Sequence, residues 1–343
     1  MAAPHAPRTP HGEPVALVLG AGGARGFAQI GVIEALEARG LRVVAVAGSS
    51  SGALVGGLYA AGRLPDFRAW LLGLGRTAML RMLDPVFGQP SLFGGDRLIQ
   101  ALREQAGDHR IEELPIPFTA VAVDLMRQRE VWLRDGDLWD AVRASIAIPG
   151  IFTPHVVRGR ALVDGGLLAP LPITATRLSG AHRLVAVDMH GWSEHPVGRV
   201  AAGNGSVESG HAVARDGAAL AGLSGDGIAE GQAAAQPGKP DVERSRILEW
   251  LARRFRDEAQ RQAASTPMAP LGLPAPLGFT ELMARSLDTM QAQIARVQMA
   301  LDPPELVIRI PRDACQFYEF WRAGELIEIG RREAEKALDA AGY

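Results

Sequence analysis

The stretch that most constrains this chain is residues 43–60. The apolar run Val43-Val44-Ala45-Val46-Ala47 ends in Gly48-Ser49-Ser50-Ser51-Gly52, and the small-residue pattern Ala53-Leu54-Val55-Gly56-Gly57-Leu58-Tyr59-Ala60 follows. A strand, a tight turn and a helix in that order make Gly-x-Ser-x-Gly a nucleophile-elbow pattern. The middle serine stands where the chain reverses. Gly48 and Gly52 carry no Cβ, so strand and helix can approach closely while Ser50 takes a strained backbone. Of three consecutive serines, only Ser50 has a glycine two residues away on each side. The same pentapeptide also serves as a plain structural turn, so its chemistry must be argued from the rest of the chain.

Residues 14–20 (PVALVLG) form a second buried-strand candidate, ahead of the glycine-rich Gly20-Ala21-Gly22-Gly23-Ala24-Arg25-Gly26. From Phe27 to Arg39, Phe27, Ile30, Ile33 and Leu36 are spaced for one face of a helix, and Gly40 stops it. The first sixty residues therefore spell strand, helix, strand, helix, which predicts a parallel sheet with right-handed crossovers. Further strands are expected at 118–125, 130–134, 160–163, 182–189 and 305–311. Helices are expected at 138–145, 242–262, 280–300 and 318–341, and 65–108 reads as irregular and mostly helical.

With 343 residues, 47% of them hydrophobic, the chain can bury a large core. A formal net charge of −2 gives no nucleic-acid surface. The single cysteine, Cys315, cannot form an internal disulfide and reads as a small buried residue, in keeping with a reducing compartment. Residues 1–13 lack the apolar segment of a secretory signal and read as a disordered leader. No run of eighteen apolar residues is present, so no transmembrane helix is expected. From Gly191 the composition shifts to Gly, Ala, Ser and Pro. Residues 14–343 thus read as one domain carrying a low-complexity insertion at about 191–277.

The glycine-rich loop invites a nucleotide reading, but Arg25 occupies the third glycine position of G-x-G-x-x-G and no Gly-Lys-Ser/Thr follows. What the loop offers is glycine N–H groups at the positive end of a helix, where a transient oxyanion would be stabilised. The competing reading is a strand-to-helix turn that needs glycine only for packing. Two such loops after consecutive parallel strands would both emerge at the carboxyl edge of the sheet, where these sheets place their sites.

A serine hydroxyl needs a base. Of eight histidines, His190 follows a strand and is the best-placed rival for a Ser-Asp-His arrangement. Asp164 offers another route. It ends the apolar Ala161-Leu162-Val163 and precedes Gly165-Gly166. A partly desolvated aspartate there can take a serine's proton, yet Asp-Gly equally supports an ordinary turn. Asp124 and Asp188 also end strands, lack the glycine pair and read as structural.

Four stretches, in order and spacing, resemble the patatin-like phospholipases, and their bacterial branch most. They are residues 20–26, residues 48–52, Ala144-Ser145-Ile146-Ala147-Ile148-Pro149-Gly150, and Asp164-Gly165-Gly166. The resemblance covers 14–189 and the segment after Thr280. It implies a three-layer α/β/α fold with a mainly parallel sheet and a Ser-Asp dyad at the carboxyl edge of the strands. Ser50 would then be the nucleophile and Asp164 the base. Gly22, Gly23 and Arg25, with Ser51 after the nucleophile, would form the oxyanion hole through main-chain N–H groups. No metal or cofactor is implied. Two departures stand out: Gln29 where bacterial members often carry His, and Ala169 where Asn often precedes Pro170.

The function implied is a lipid acyl hydrolase, a serine esterase acting on phospholipid, lysophospholipid or another lipid ester. A Ser-Asp-His esterase and a non-catalytic scaffold binding lipid or a partner are the alternatives. The location expected is cytoplasmic, with peripheral contact at the inner membrane as an option. The apolar stretch Leu71 to Leu83 and the insertion are the candidate lipid-facing elements, although a core-facing helix explains the former equally well.

Overall fold

In the computed structural model, the described residues are 12, 14–192 and 279–343, apart from 87, 89, 90, 178 and 182. The expected leader, the low-complexity insertion and the helix at 242–262 lie outside the described residues.

An eight-stranded mixed sheet forms the centre. Its strands are β1 (Pro14–Leu19), β2 (Arg42–Ser49), β3 (Phe118–Asp124), β4 (Arg129–Leu133), β5 (His155–Val157), β6 (Arg160–Asp164), β7 (Arg183–Gly191) and β8 (Leu306–Pro311). Their order is β5-β6-β3-β2-β1-β7-β8, with β4 also paired to β3. The ladders joining β3, β2, β1, β7 and β8 are parallel, whereas those of β4, β5 and β6 are antiparallel. The expectation of a mainly parallel sheet therefore holds, with an antiparallel flank. The short β5 was not anticipated, because three residues are too few to show a period.

Helices cover both faces, giving three layers. They are α1 (Ala28–Ala38), α2 (Ser51–Ala60), α3 (Leu64–Gly73), α4 (Arg76–Arg81), α5 (Asp96–Ala106), α6 (Leu138–Ser145), α7 (Phe279–Leu301) and α8 (Ala323–Ala341). Strand side chains alternate between faces. Val15, Leu17 and Leu19 of β1 accordingly join the cluster that includes Ile30 and Ile33 of α1, Val55 of α2 and Leu326 of α8. Val18 points the other way, to Leu171, Ile173, Ala186 and Ala295 of α7. Each fully buried Val or Leu contributes about 1.5–3 kcal/mol, so a strand buried on both faces is an anchor of the fold. The stretch from Leu71 divides: Leu71 is buried in the core, while Leu72 is 46% exposed.

The register around β3 places the two chemistry-bearing loops. β2 pairs with residues 118–121 of β3 and β6 pairs with 122–124, while β4 occupies the opposite edge along 120–124. β2 and β6 thus share one edge of β3, running toward each other. Ser49 lies opposite Val121, and Asp164 lies opposite the next residue, Ala122. The carboxyl ends of β2 and β6 meet there.

Candidate active site

Ser50 caps α2 at the sharp turn that ends β2. Its φ is 54° and its ψ −123°, a left-handed backbone that is costly for a residue with a Cβ and persists only where the surroundings enforce it. The flanking glycines allow it. A Cβ on Gly48 would strike the Gly52 carbonyl, and one on Gly52 would strike that of Leu19. The Ser50 N–H donates to Ser145 Oγ at 2.9 Å, and Ser145 Oγ donates in turn to the Val121 carbonyl at 2.6 Å.

Ser50 Oγ donates to Asp164 Oδ2 at 2.6 Å. The other carboxylate oxygen, Oδ1, accepts the Gly166 N–H at 2.7 Å. Ser50 is 4% exposed and Asp164 3%, so both work away from bulk water. Burial raises the Asp164 pKa to about 7, against the opposing pull of its hydrogen bonds from Ser50 and Gly166. A carboxylate poised near neutrality can both take and return a proton. No histidine bonds to Ser50 or Asp164 among the described residues. His190 is instead beside Asp188, with Nδ1 3.4 Å from Oδ1, and its Nε2 lies 3.7 Å from Asp288.

The glycine-rich loop closes as a 3-10 turn over Gly23–Phe27, ahead of α1. Its Gly22 N–H is not free: it donates to Ser51 Oγ at 3.1 Å. This departs from the expectation in two ways. Gly22 spends its donor inside the protein, and the Ser51 hydroxyl, not considered beforehand, is what accepts it. Ala24 N–H is likewise bound to the Phe317 carbonyl at 2.9 Å. The N–H groups of Gly23 and Ser51, each opening its helix, have no partner among the described residues, whereas the Arg25 N–H is the first donor of the 3-10 turn and faces the Gly22 carbonyl. The Arg25 side chain is 5% exposed and turned into the protein, where it bonds to Gly22, Arg312 and Asp288.

The two departures from the family pattern have local explanations. Gln29 is fully buried and its Nε2 donates to the Gly20 carbonyl at 2.7 Å, holding the loop's entry. Ala169 packs in a small apolar cluster with Ala47, Val121 and Ala175. Asp124 binds Arg127 across a turn, and Asp188 caps the His190 N–H, so neither contributes to the dyad. Cys315 is buried, and burial pushes its thiol up to about 11. Sequence reasoning missed Ser145. The only signal was its place in the third matching stretch, and a serine's partner 95 residues away leaves no local pattern.

Fold and geometry define a three-layer α/β protein of the nucleophile-elbow class. Its relatives narrow this further. A model of the patatin-like phospholipases matches residues 17–177. An NTE family protein of Mycobacterium tuberculosis is 40% identical over 345 residues, covering 95% of this chain and 91% of that protein. A lysophospholipase, nte1, of Emericella nidulans is 34% identical over 186 residues, which span 52% of this chain and 12% of that protein. The crystal structure of VipD from Legionella pneumophila aligns with a TM-score of 0.41 at 13% identity, over 97% of this chain and 68% of that one. The chain belongs to the patatin-like phospholipase family, whose members are lipid hydrolases. Among the described residues, no helix is long and apolar enough to cross a membrane.

Proposed function

We propose that the chain hydrolyses carboxylic esters of lipids, phospholipids or lysophospholipids, through a Ser50 acyl-enzyme with Asp164 as its base. The observation that carries this reading is the 2.6 Å hydrogen bond from Ser50 Oγ to a buried Asp164, with no histidine on either among the described residues. The relative named as a lysophospholipase supports the substrate class.

The reaction runs in two halves. Ser50 Oγ attacks the ester carbonyl carbon as its proton passes to Asp164 Oδ2. The carbonyl π electrons move to oxygen, and the oxyanion is met by the N–H groups of Gly23 and Ser51. Such preorganised donors are each worth roughly 3–4 kcal/mol in well-measured cases. The tetrahedral species collapses, the bond to the alcohol breaks, and Asp164 returns the proton to the leaving oxygen. Water then attacks the acyl-enzyme, giving its proton to Asp164, and Ser50 leaves with that proton as the fatty acid departs. No step calls on a metal.

The test is hydrolysis of short-chain p-nitrophenyl esters and of a mixed lipid panel, with products identified by mass spectrometry. Ser50→Ala should lose all activity and all labelling by a fluorophosphonate probe. Activity retained by Ser50→Ala removes the assignment, and an intact wild-type protein that never reacts with the probe supports a scaffold. His190→Gln should retain activity, because a loss matching that of Ser50→Ala points to a histidine triad. Lipid substrates reside in bilayers, so peripheral membrane contact belongs to this proposal, and co-sedimentation with phospholipid vesicles measures it.

A further inference from the structure

Arg25 makes an arrangement that the chemistry above does not use. Its guanidinium lies beneath the glycine-rich loop, with a side-chain exposure of only 6%. Nε donates to the Gly22 carbonyl in a long hydrogen bond of 3.4 Å, and Nη1 donates to the Arg312 carbonyl at 3.0 Å. Nη2 is paired with Asp288 Oδ1, on α7. A buried cation without a counter-charge is costly, so Asp288 is what allows the guanidinium to stay there.

The Gly22 carbonyl matters because a peptide unit is planar and trans. The plane that carries this carbonyl also carries the Gly23 N–H, pointing the opposite way. Fixing one fixes the other. Glycines flank the plane on both sides, with ψ 11° at Gly22 and φ +57° at Gly23. No Cβ resists a flip of this peptide, so its orientation depends on what its carbonyl meets, the 3-10 turn and the Arg25 side chain. Ser51 holds the preceding plane through the Gly22 N–H, and Arg25 holds this one.

We infer that Asp288 is a positioning residue for the oxyanion loop. Through Arg25 it keeps the Gly22–Gly23 peptide in the orientation that presents the Gly23 N–H. This rests on the ester-hydrolase reading for its kinetic consequence, but not for its structural one. α7 therefore belongs to the machinery of the site, although it lies 263 residues from Arg25 in the chain.

The experiment combines steady-state kinetics with amide hydrogen exchange on the full-length protein. Asp288→Asn should lower kcat roughly 10- to 100-fold, short of the loss for deleting an oxyanion donor outright, with KM changed less than about threefold. The amides of residues 20–27 should exchange faster. Asp288→Glu should recover part of both. Arg25→Lys keeps a cation for Asp288 but loses the Nε donor, and should show the same kcat loss even if Asp288→Asn folds poorly. Asp302→Asn removes a different ion pair, to Arg177, at the residue just past the end of α7, and should change neither readout. Wild-type kcat and unaltered loop exchange in both Asp288→Asn and Arg25→Lys overturn the inference. So does a kcat loss in Asp302→Asn equal to that in Asp288→Asn, since helix anchoring alone then explains it. If the wild-type chain hydrolyses no ester, the proposed activity fails while loop exchange still decides the role of Asp288.

Discussion

Ser145 and Ala147, two residues apart at and just past the end of α6, hold the main chains of Ser50 and Asp164. Ser145 Oγ accepts the Ser50 N–H at 2.9 Å, and the Ala147 carbonyl accepts the Asp164 N–H at 3.0 Å. The third matching stretch is thus a bracket. It sets where the Ser50 and Asp164 main chains stand.

Ser145→Ala should therefore behave differently from a surface change. It leaves the buried Ser50 N–H and Val121 carbonyl short of a partner, a loss of roughly 1–3 kcal/mol of stability. If about 1.4 kcal/mol of that restraint also acts in the transition state, kcat falls about tenfold. Denaturant unfolding and kinetics on the same preparation check both. A variant as active and stable as wild type would show that the Ser50 backbone holds its strained conformation unaided.

Asp164→Asn should abolish ester hydrolysis and change stability in a pH-dependent way. The folded pKa, about 7, lies above the ordinary aspartate value. The native state therefore holds this proton more tightly than the unfolded state does. The resulting stability is complete below the ordinary value of 3.8 and is lost as pH rises through about 7. Removing the charge should stabilise the protein relative to wild type at pH 8 by on the order of a few kcal/mol, read as a higher melting temperature, with a smaller gain at pH 5. Equal shifts at the two pH values would contradict a buried, costly carboxylate.

Activity should carry its own acid limb. Asp164 accepts a proton only when ionised, so kcat/KM should fall tenfold per pH unit below an apparent pKa near 7. A limb centred near the ordinary aspartate range, in a pH–rate profile with a neutral ester, would mean that the free enzyme keeps its base solvated.

The neighbouring serines should separate. Ser49 Oγ is buried without a partner among the described residues, so Ser49→Ala should leave activity and stability near wild type. Ser51 Oγ accepts the Gly22 N–H, so Ser51→Ala frees one plane of the oxyanion loop and should lower kcat by about tenfold, at a cost of about 1 kcal/mol of stability. Parallel kinetics on the two variants decide it. Equal activity would show that the loop does not depend on the Ser51 hydroxyl.

Much of the architecture is legible in the chain itself. Short-range periods reveal β1, β2, β3, β7 and β8 and the helices between them. Gly48 and Gly52 mark the elbow because close backbone approach forbids a Cβ at both. The glycine-rich loop and Asp164 stand out for the same local reason, each being a strand end followed by residues that permit an unusual turn. These features depend on a few consecutive side chains, so they are written in consecutive letters.

What remained was decided by tertiary structure. Asp164 meets Ser50 because β2 and β6 share one edge of β3 tail to tail, a register that no local period encodes. The raised pKa of Asp164 comes from burial by elements scattered along the chain. The Ser51 hydroxyl accepts the Gly22 N–H because the glycine loop folds back over it from 29 residues away. Ser145, Arg25 and Asp288 acquire their roles through hydrogen bonds spanning 95 and 263 residues. Residue types can announce which groups are able to do the chemistry. Only the packed sheet determines which of them touch, because contact between distant residues is a property of register and layer order rather than of neighbouring sequence.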